Sequence, residues 1–253
     1  MNELPTPALE RFRSDAYLRE CSATVVGVDA QGVVLDQTVF YPMGGGQAGD
    51  AGVLVLPDGR ELPIADTRKG KDSEGRPDGR IVHVVALDAQ PHLAALRVGE
   101  AVVARIDWQR RHRHMRFHTT THLLCHLVPQ LVNGCSITAD YARLDFNMTD
   151  PLDKDTLSAG IARLVAAALP VTIGSISDAE LDANPALVKS MSVQPPRGSG
   201  QVRTVRIGAD EQIDLQPCGG THVANTAEIG PIVVTKIEKK SATTRRVVLG
   251  FAQ

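Results

Sequence analysis

Two pairs of residues limit the folds open to this chain. Arg116-Phe117-His118-Thr119-Thr120-Thr121-His122-Leu123-Leu124 sets two histidines four apart, and Gln216-Pro217-Cys218-Gly219-Gly220-Thr221-His222 sets a cysteine and a histidine four apart. On a helix, residues i and i+4 share a face. Together the pairs offer three imidazoles and one thiolate, donors suited to zinc. Each pair alone is weak, since two solvated histidines on a helix are common. With only eight His and four Cys in the chain, both pairs together point to a metal. His112, His114 and His126 compete as ligands, and His122 with His126 also has helical spacing.

The pairs lie too far apart for a zinc finger, so larger folded segments must bring them together. Thr119 stands where the metalloprotease motif carries its glutamate, which excludes that chemistry. Gly219 and Gly220 allow the second pair to fold back onto one point. Cys218 is expected to bind as a thiolate.

The 253 residues suffice for two modest domains or one large one, and 43% are hydrophobic, enough for a core. A net charge of −2 leaves any RNA contact to local basic patches. Cys21, Cys125, Cys135 and Cys218 form no disulfide-like framework. Met1 to Glu20 lacks an apolar core and does not read as a signal peptide. Leu164 to Ile173 is too short to span a bilayer. No membrane partner is expected, and the reducing cytoplasm is the expected compartment.

Residues 22–106 read as short strands. Ala23–Val28 and Gly32–Asp36 form a hairpin around Asp29-Ala30-Gln31. Val39–Tyr41, Gly52–Leu56, Ile81–Val85 and Ala101–Ile106 follow, suggesting a small barrel or sandwich. Asp66 to Gly79 reads as an exposed loop. Gly44-Gly45-Gly46 reads as a flexible hairpin or as backbone that approaches a ligand closely; no Lys-Ser/Thr follows it, so it is no P-loop.

Asp107 is placed to cap a helix running to Leu127, limited by Pro129. Asp150-Pro151 is placed to open a second helix, with Leu157, Ile161, Leu164 and Ala168 as its core-facing stripe. Strands are expected at Val171–Ile176, Val202–Ile207, Ile232–Ile237 and Arg246–Leu249, and a loop at Gln194–Gly200. Helices followed by mainly antiparallel strands indicate an α+β domain.

These motifs carry a resemblance. His118-Thr119-Thr120-Thr121-His122-Leu123-Leu124 with Cys218-Gly219-Gly220-Thr221-His222 resembles the editing domain of alanyl-tRNA synthetase. Phe40-Tyr41-Pro42 with Gly44-Gly45-Gly46-Gln47 and Asp50, and Arg143-Leu144-Asp145-Phe146, extend the match from about residue 22 to 250. The chain is identified as a member of the freestanding version, the AlaX family, of its medium-sized class. The resemblance implies an α+β fold, with an N-terminal β-barrel-like domain over 1–106 and a zinc-containing editing domain of the threonyl/alanyl-tRNA synthetase type over 107–253. It implies zinc on His118, His122, Cys218 and His222. It also implies trans-editing, the hydrolysis of the ester joining serine or glycine to alanine tRNA. The chain has no room for an amino-acid-activating domain, so ligation is not expected. The pocket glutamine of the synthetase domains is missing between Val132 and Thr138.

Residue roles follow as expectations. Gly44, Gly45, Gly46 and Gln47 should border the aminoacyl-adenosine pocket, with Gln47 also acting in catalysis. Thr121 is expected to read the serine hydroxyl or else to bond the carbonyl one turn back; Ser136 and Thr138 are the other hydroxyls offered. Arg110, Arg111, Arg113, Lys236, Lys239, Lys240, Arg245 and Arg246 are expected to meet tRNA phosphates. Two competing readings are a non-catalytic tRNA-binding module with structural zinc and a deacylase of another mischarged tRNA.

Overall fold

The computed structural model describes residues 7–195, 200–209 and 212–252. The chain is mixed α+β and divides into two compact units. One comprises Met1–Gly44 with Ala48–Arg111, the other Gly45–Gln47 with His112–Gln253.

The first unit contains β1 (Leu9–Glu10), α1 (Arg11–Ser14), β2 (Glu20–Asp29), β3 (Gly32–Leu35), β4 (Gln37–Thr38), β5 (Gly52–Val55), β6 (Glu61–Lys71), β7 (Pro77–Val85) and β8 (Ala101–Ile106). Six of these close a barrel in the order β2-β3-β7-β6-β5-β8. Closure removes sheet edges, and alternate side chains fill the interior. Val25, Val33, Leu35, Leu54, Leu62, Ile64, Val102 and Ile106 make that core. The expected hairpin forms, with Asp29 opposite Gly32. Gly32 has φ +145°, and a Cβ there would lie 2.3 Å from the His83 carbonyl oxygen.

Two expectations for this unit are corrected. Asp66–Gly79 is not a loop, because β6 and β7 run through most of it and pair as far as Lys71 with Pro77. Its Arg and Lys residues are exposed, with Arg68 meeting Asp66 at 2.7 Å and Arg76 meeting Asp72 at 2.9 Å. Only residues 72–76 turn, organised by Asp72, which accepts the amide N–H groups of Glu74 and Arg76. Val39–Tyr41 is no strand. These residues are buried in irregular backbone, and the Tyr41 amide donates to Asp50 Oδ2 at 2.6 Å.

His83 lies fully buried in the barrel. Its Nδ1 must donate to the Val33 carbonyl at 3.0 Å, so its Nε2 accepts from the Thr38 hydroxyl at 2.8 Å. Burial holds its pKa down at about 4, against an ordinary 6.5. Between those values the unfolded chain binds a proton that the folded chain refuses, so stability falls as pH falls through that window. From pH 7 to pH 4 this group is expected to cost roughly 3 kcal/mol. Denaturant titration followed through Trp108, the one tryptophan, measures it. His83→Gln should flatten the dependence, and an equal slope in both proteins would assign the loss elsewhere.

The second unit takes most of α2 (Trp108–Leu127), then β9 (Val132–Ile137), β10 (Ala142–Asn147), α3 (Lys154–Ala166), β11 (Val171–Ser177), α4 (Asp178–Ala183), β12 (Gln201–Ile207), β13 (Asp214–Pro217), β14 (Ile232–Ser241) and β15 (Thr244–Phe251). One antiparallel sheet has the order β14-β15-β10-β9, the other β11-β12-β13. Asp107 caps α2 as expected, accepting the Arg110 amide at 3.1 Å.

α3 starts later than Asp150-Pro151. Its cap is Asp153, which accepts the Thr156 amide, because that side chain can reach the first free N–H groups. Leu157, Ile161 and Leu164 are buried as expected, but Ala168 lies past the helix end at φ +50° and is exposed. Of the stretches read at Gln194–Gly200 and Met1–Glu20, residues 196–199 and 1–6 lie outside the described residues. No helix among the described residues is long and apolar enough to cross a membrane.

Candidate metal centre

α2 presents His118 and His122 on one face, and Cys218 follows directly on β13. The Cys218 amide donates to the Arg203 carbonyl at 3.2 Å, and Arg203 Nη1 donates to the Cys218 carbonyl. Gly220 allows the chain to turn back against α2, since a Cβ there would lie 2.1 Å from His118 Cε1. The ligating atoms of His118, His122, Cys218 and His222 all fall within 4.8 Å of one another. Cys218 Sγ lies 3.4 Å from His118 Nε2 and 3.3 Å from His222 Nε2. His126 is exposed and, like His112 and His114, stands outside the cluster.

Each imidazole is held at Nδ1. His118 faces Gln47 Oε1 at 2.7 Å, His122 faces Asp214 Oδ2 at 2.8 Å, and His222 faces Thr119 Oγ1 at 3.1 Å. This leaves Nε2 of each ring for the centre, the arrangement in which outer partners orient metal-binding histidines. Loss of water opposes ionisation of Cys218, yet His118 and His222 bring its thiol well below its ordinary range. The Gly220 amide adds a contact to Sγ at 3.4 Å. Burial acts against protonation of His122, but Asp214 and Cys218 overcome it and raise its pKa to about 10. Burial, then His118, lowers that of His222. One thiolate and three nitrogens, mutually close and oriented from outside, fit zinc's preferred donors.

The other expected residues fall in varied places. Gln47 is fully buried and does not stand open to a pocket. Its Nε2 donates to Thr221 Oγ1 at 2.9 Å, and its Oε1 accepts the Thr221 amide at 3.1 Å as well as His118. Gly46 is pinned to β9, where its carbonyl accepts the Ile137 amide at 2.8 Å; a Cβ would lie 2.9 Å from Cys135 Sγ. Gly45, at φ +59°, has open space on its side-chain face, and the Gly44 carbonyl accepts from the Tyr41 hydroxyl.

Thr121 donates its hydroxyl to the His118 carbonyl at 2.7 Å, so the bond one turn back is the one it makes. Thr138 is a turn residue whose hydroxyl donates to the Tyr141 carbonyl and accepts the Asp140 and Tyr141 amides. Ser136 pairs with Arg143 on the face of β9 opposite Cys135, which lies beside Gly46.

Two of the basic residues are corrected. Arg111 is fully buried and ion-paired with Asp50, so it faces no solvent phosphate. Arg245 is buried and donates to backbone carbonyls, including that of Thr149. Arg246 donates from Nε and Nη2 to the two carboxylate oxygens of Asp145, at 2.7 and 2.8 Å. Lys236, Lys239 and Lys240 are exposed, and Arg110 and Arg113 half-buried. Sequence reasoning missed Asp214 and assigned Thr119 no role.

Two family models match, "tRNA synthetases class II (A)" over residues 15–110 and "Threonyl and Alanyl tRNA synthetase second additional domain" over 202–248. The chain is similar to the alanyl-tRNA editing protein AlaX-M of Saccharolobus solfataricus, at 34% identity over 94% of this chain and 96% of that protein. It is 35% identical to AlaX-M of Methanosarcina barkeri, over 92% of this chain and 94% of that one. Similarity also extends to the alanine–tRNA ligase of Sulfurisphaera tokodaii, 33% over 92% of this chain but 25% of the ligase.

Proposed function

Because the chain belongs to the AlaX-M family of alanyl-tRNA editing proteins, we propose that it hydrolyses the ester joining serine, and also glycine, to alanine tRNA at a zinc centre made by His118, His122, Cys218 and His222. It acts as a trans-editing deacylase. We assign the chemistry to an editing domain over 107–253 and a β-barrel-like domain to 1–106. The observation that carries the reading is the outer hold on all three imidazoles by Gln47, Asp214 and Thr119.

Bound zinc supplies positive charge that polarises the ester or holds the substrate amine. The chain's own residues do the rest. Gln47, Asp214 and Thr119 fix imidazole tautomers and orientations, which makes Gln47 a positioning residue. Cys218 is held ready as a thiolate. Gly45, with open space beside it, lets substrate approach backbone closely. Thr121 has spent its proton on the helix, so it offers its oxygen as an acceptor to a serine hydroxyl. Alanine would leave that acceptor unpaired, and such sites discriminate on the order of 10⁴. Lys236, Lys239 and Lys240, with Arg110 and Arg113, are the cations offered to tRNA phosphates.

Deacylation assayed over a panel of mischarged tRNAs tests this function. Seryl-tRNA for alanine should be cleaved far faster than alanyl-tRNA, and glycyl-tRNA should also react. Cleavage of a different mischarged tRNA alone would move the substrate, and no cleavage at all would favour a binding module.

A further inference from the structure

We infer that the three imidazoles are held unequally, with His122 as the anchoring ligand and His222 as the one that yields its place. The inference rests on the reading of this cluster as a metal site. An imidazole that binds a cation through Nε2 carries its hydrogen on Nδ1, so each outer partner acts as an acceptor. Those acceptors differ. His122 donates to a carboxylate, Asp214 Oδ2, at 2.8 Å. The same oxygen is fixed by Gln216 Nε2 at 2.8 Å, and Asp214 is 5% exposed. Hydrogen bonds to an ionised acceptor are roughly twice as strong as neutral ones, and a carboxylate partner raises ligand basicity. His118 donates to a neutral amide oxygen, that of Gln47, at 2.7 Å. His222 has the longest and weakest hold, a neutral hydroxyl oxygen of Thr119 at 3.1 Å. That oxygen also takes the Val223 amide at 3.3 Å.

The backbone points the same way. His118 and His122 lie inside α2, whose hydrogen-bond ladder fixes their Cα positions. His222 lies in irregular backbone between β13 and the next helical turn. Moving it breaks no ladder. Four protein donors close a tetrahedral centre, whereas a catalytic one needs an open position. A histidine able to give way would supply the opening, while Asp214 would hold His122 in place.

Zinc affinity of the full chain, measured by competition with a chromophoric chelator, tests the ranking. Asp214→Asn and Thr119→Val are both near-isosteric. The first should lose about 10–100-fold in zinc affinity, the second distinctly less. His222→Ala should retain one zinc per chain under conditions that strip His122→Ala. With cobalt(II) as the probe, His222→Ala should bind more tightly than His122→Ala, and its visible absorption should change in intensity because one nitrogen donor is gone.

An equal or larger loss in Thr119→Val than in Asp214→Asn overturns the inference, as does zinc retained by His122→Ala and lost by His222→Ala. If Asp214→Asn does not fold, Gln216→Met loosens the same carboxylate without removing its charge, and it must still cost more zinc than Thr119→Val. These readouts are metal affinities. A chain that ranks its ligands this way but deacylates no tRNA would retire the proposed function alone; one that deacylates but ranks them otherwise would retire the inference alone.

Discussion

Cys218→Ala is expected to leave the chain folded but without its metal, and to bring seryl-tRNA deacylation down to background. Cys218 is the only anionic donor of the cluster, and its thiol is already biased toward thiolate by His118 and His222. Four-ligand zinc sites carry roughly 10–16 kcal/mol of binding. Shared evenly, one ligand is worth about 3 kcal/mol, on the order of 10² in affinity. The thiolate should exceed an even share because it also neutralises charge. Folding should survive because the change leaves the unit's fully buried apolar side chains untouched. Phe117, Leu123, Leu124 and Ile137 are fully buried, whereas Cys218 is half-buried. Metal per chain after dialysis, the far-ultraviolet dichroism and the deacylation rate would be read together. Full zinc occupancy would remove Cys218 from the ligand set. Loss of fold on chelation would favour the structural-zinc reading.

The four clustered donors are legible because residue type and spacing both speak. Imidazole and thiol are rare here, and an i, i+4 pair has a geometric meaning before any fold is known. Their outer partners were not legible. Asp214 is one of many acids, and nothing in the sequence near it marks it as facing a ring from a helix more than ninety residues earlier. In the sequence, Thr119 stands out only as the residue in the glutamate's place. Gln47 was noticed, but a glutamine after three glycines reads as a pocket residue, and only the folded chain brings it to His118.

The barrel was read in kind from alternation and turn residues. The hairpin of β6 and β7 was lost because Gly, Asp and Arg carry loop propensity, which cross-strand pairing and the outward charge ladder override. Arg111 was misread for a related reason. Four arginines within about two helical turns look like a solvated face, and no local signal says that one of them turns inward to a carboxylate 61 residues away.

Asp50→Asn is therefore expected to be one of the most destabilising conservative changes in the first unit. Asp50 and Arg111 are both fully buried. Arg111 Nε lies 3.0 Å from Asp50 Oδ2, and Nη2 donates to the same oxygen. The remaining guanidinium donors reach the Ala16 carbonyl at 2.9 Å and the Val39 carbonyl at 2.6 Å, so Arg111 ties α2 to three separated segments. Asparagine keeps the shape but leaves the guanidinium charge buried without a counter-charge. Breaking such a pair from one side costs about 3–5 kcal/mol, which for a chain of this size lowers the melting temperature on the order of 10 °C. Trp108, three residues before Arg111 on α2, reports the transition. Replacing both partners together, Asp50→Leu with Arg111→Met, should recover much of the loss, because no charge is then stranded. A melting temperature within a degree or two of wild type in Asp50→Asn would mean the pair contributes little. The same buried geometry separates structure from RNA binding at Arg111. Arg111→Met should lower the melting temperature without flattening the dependence of tRNA affinity on salt, whereas Lys239→Ala with Lys240→Ala should flatten it without touching stability. A flattened slope with unchanged melting in Arg111→Met would put that guanidinium back against the phosphates.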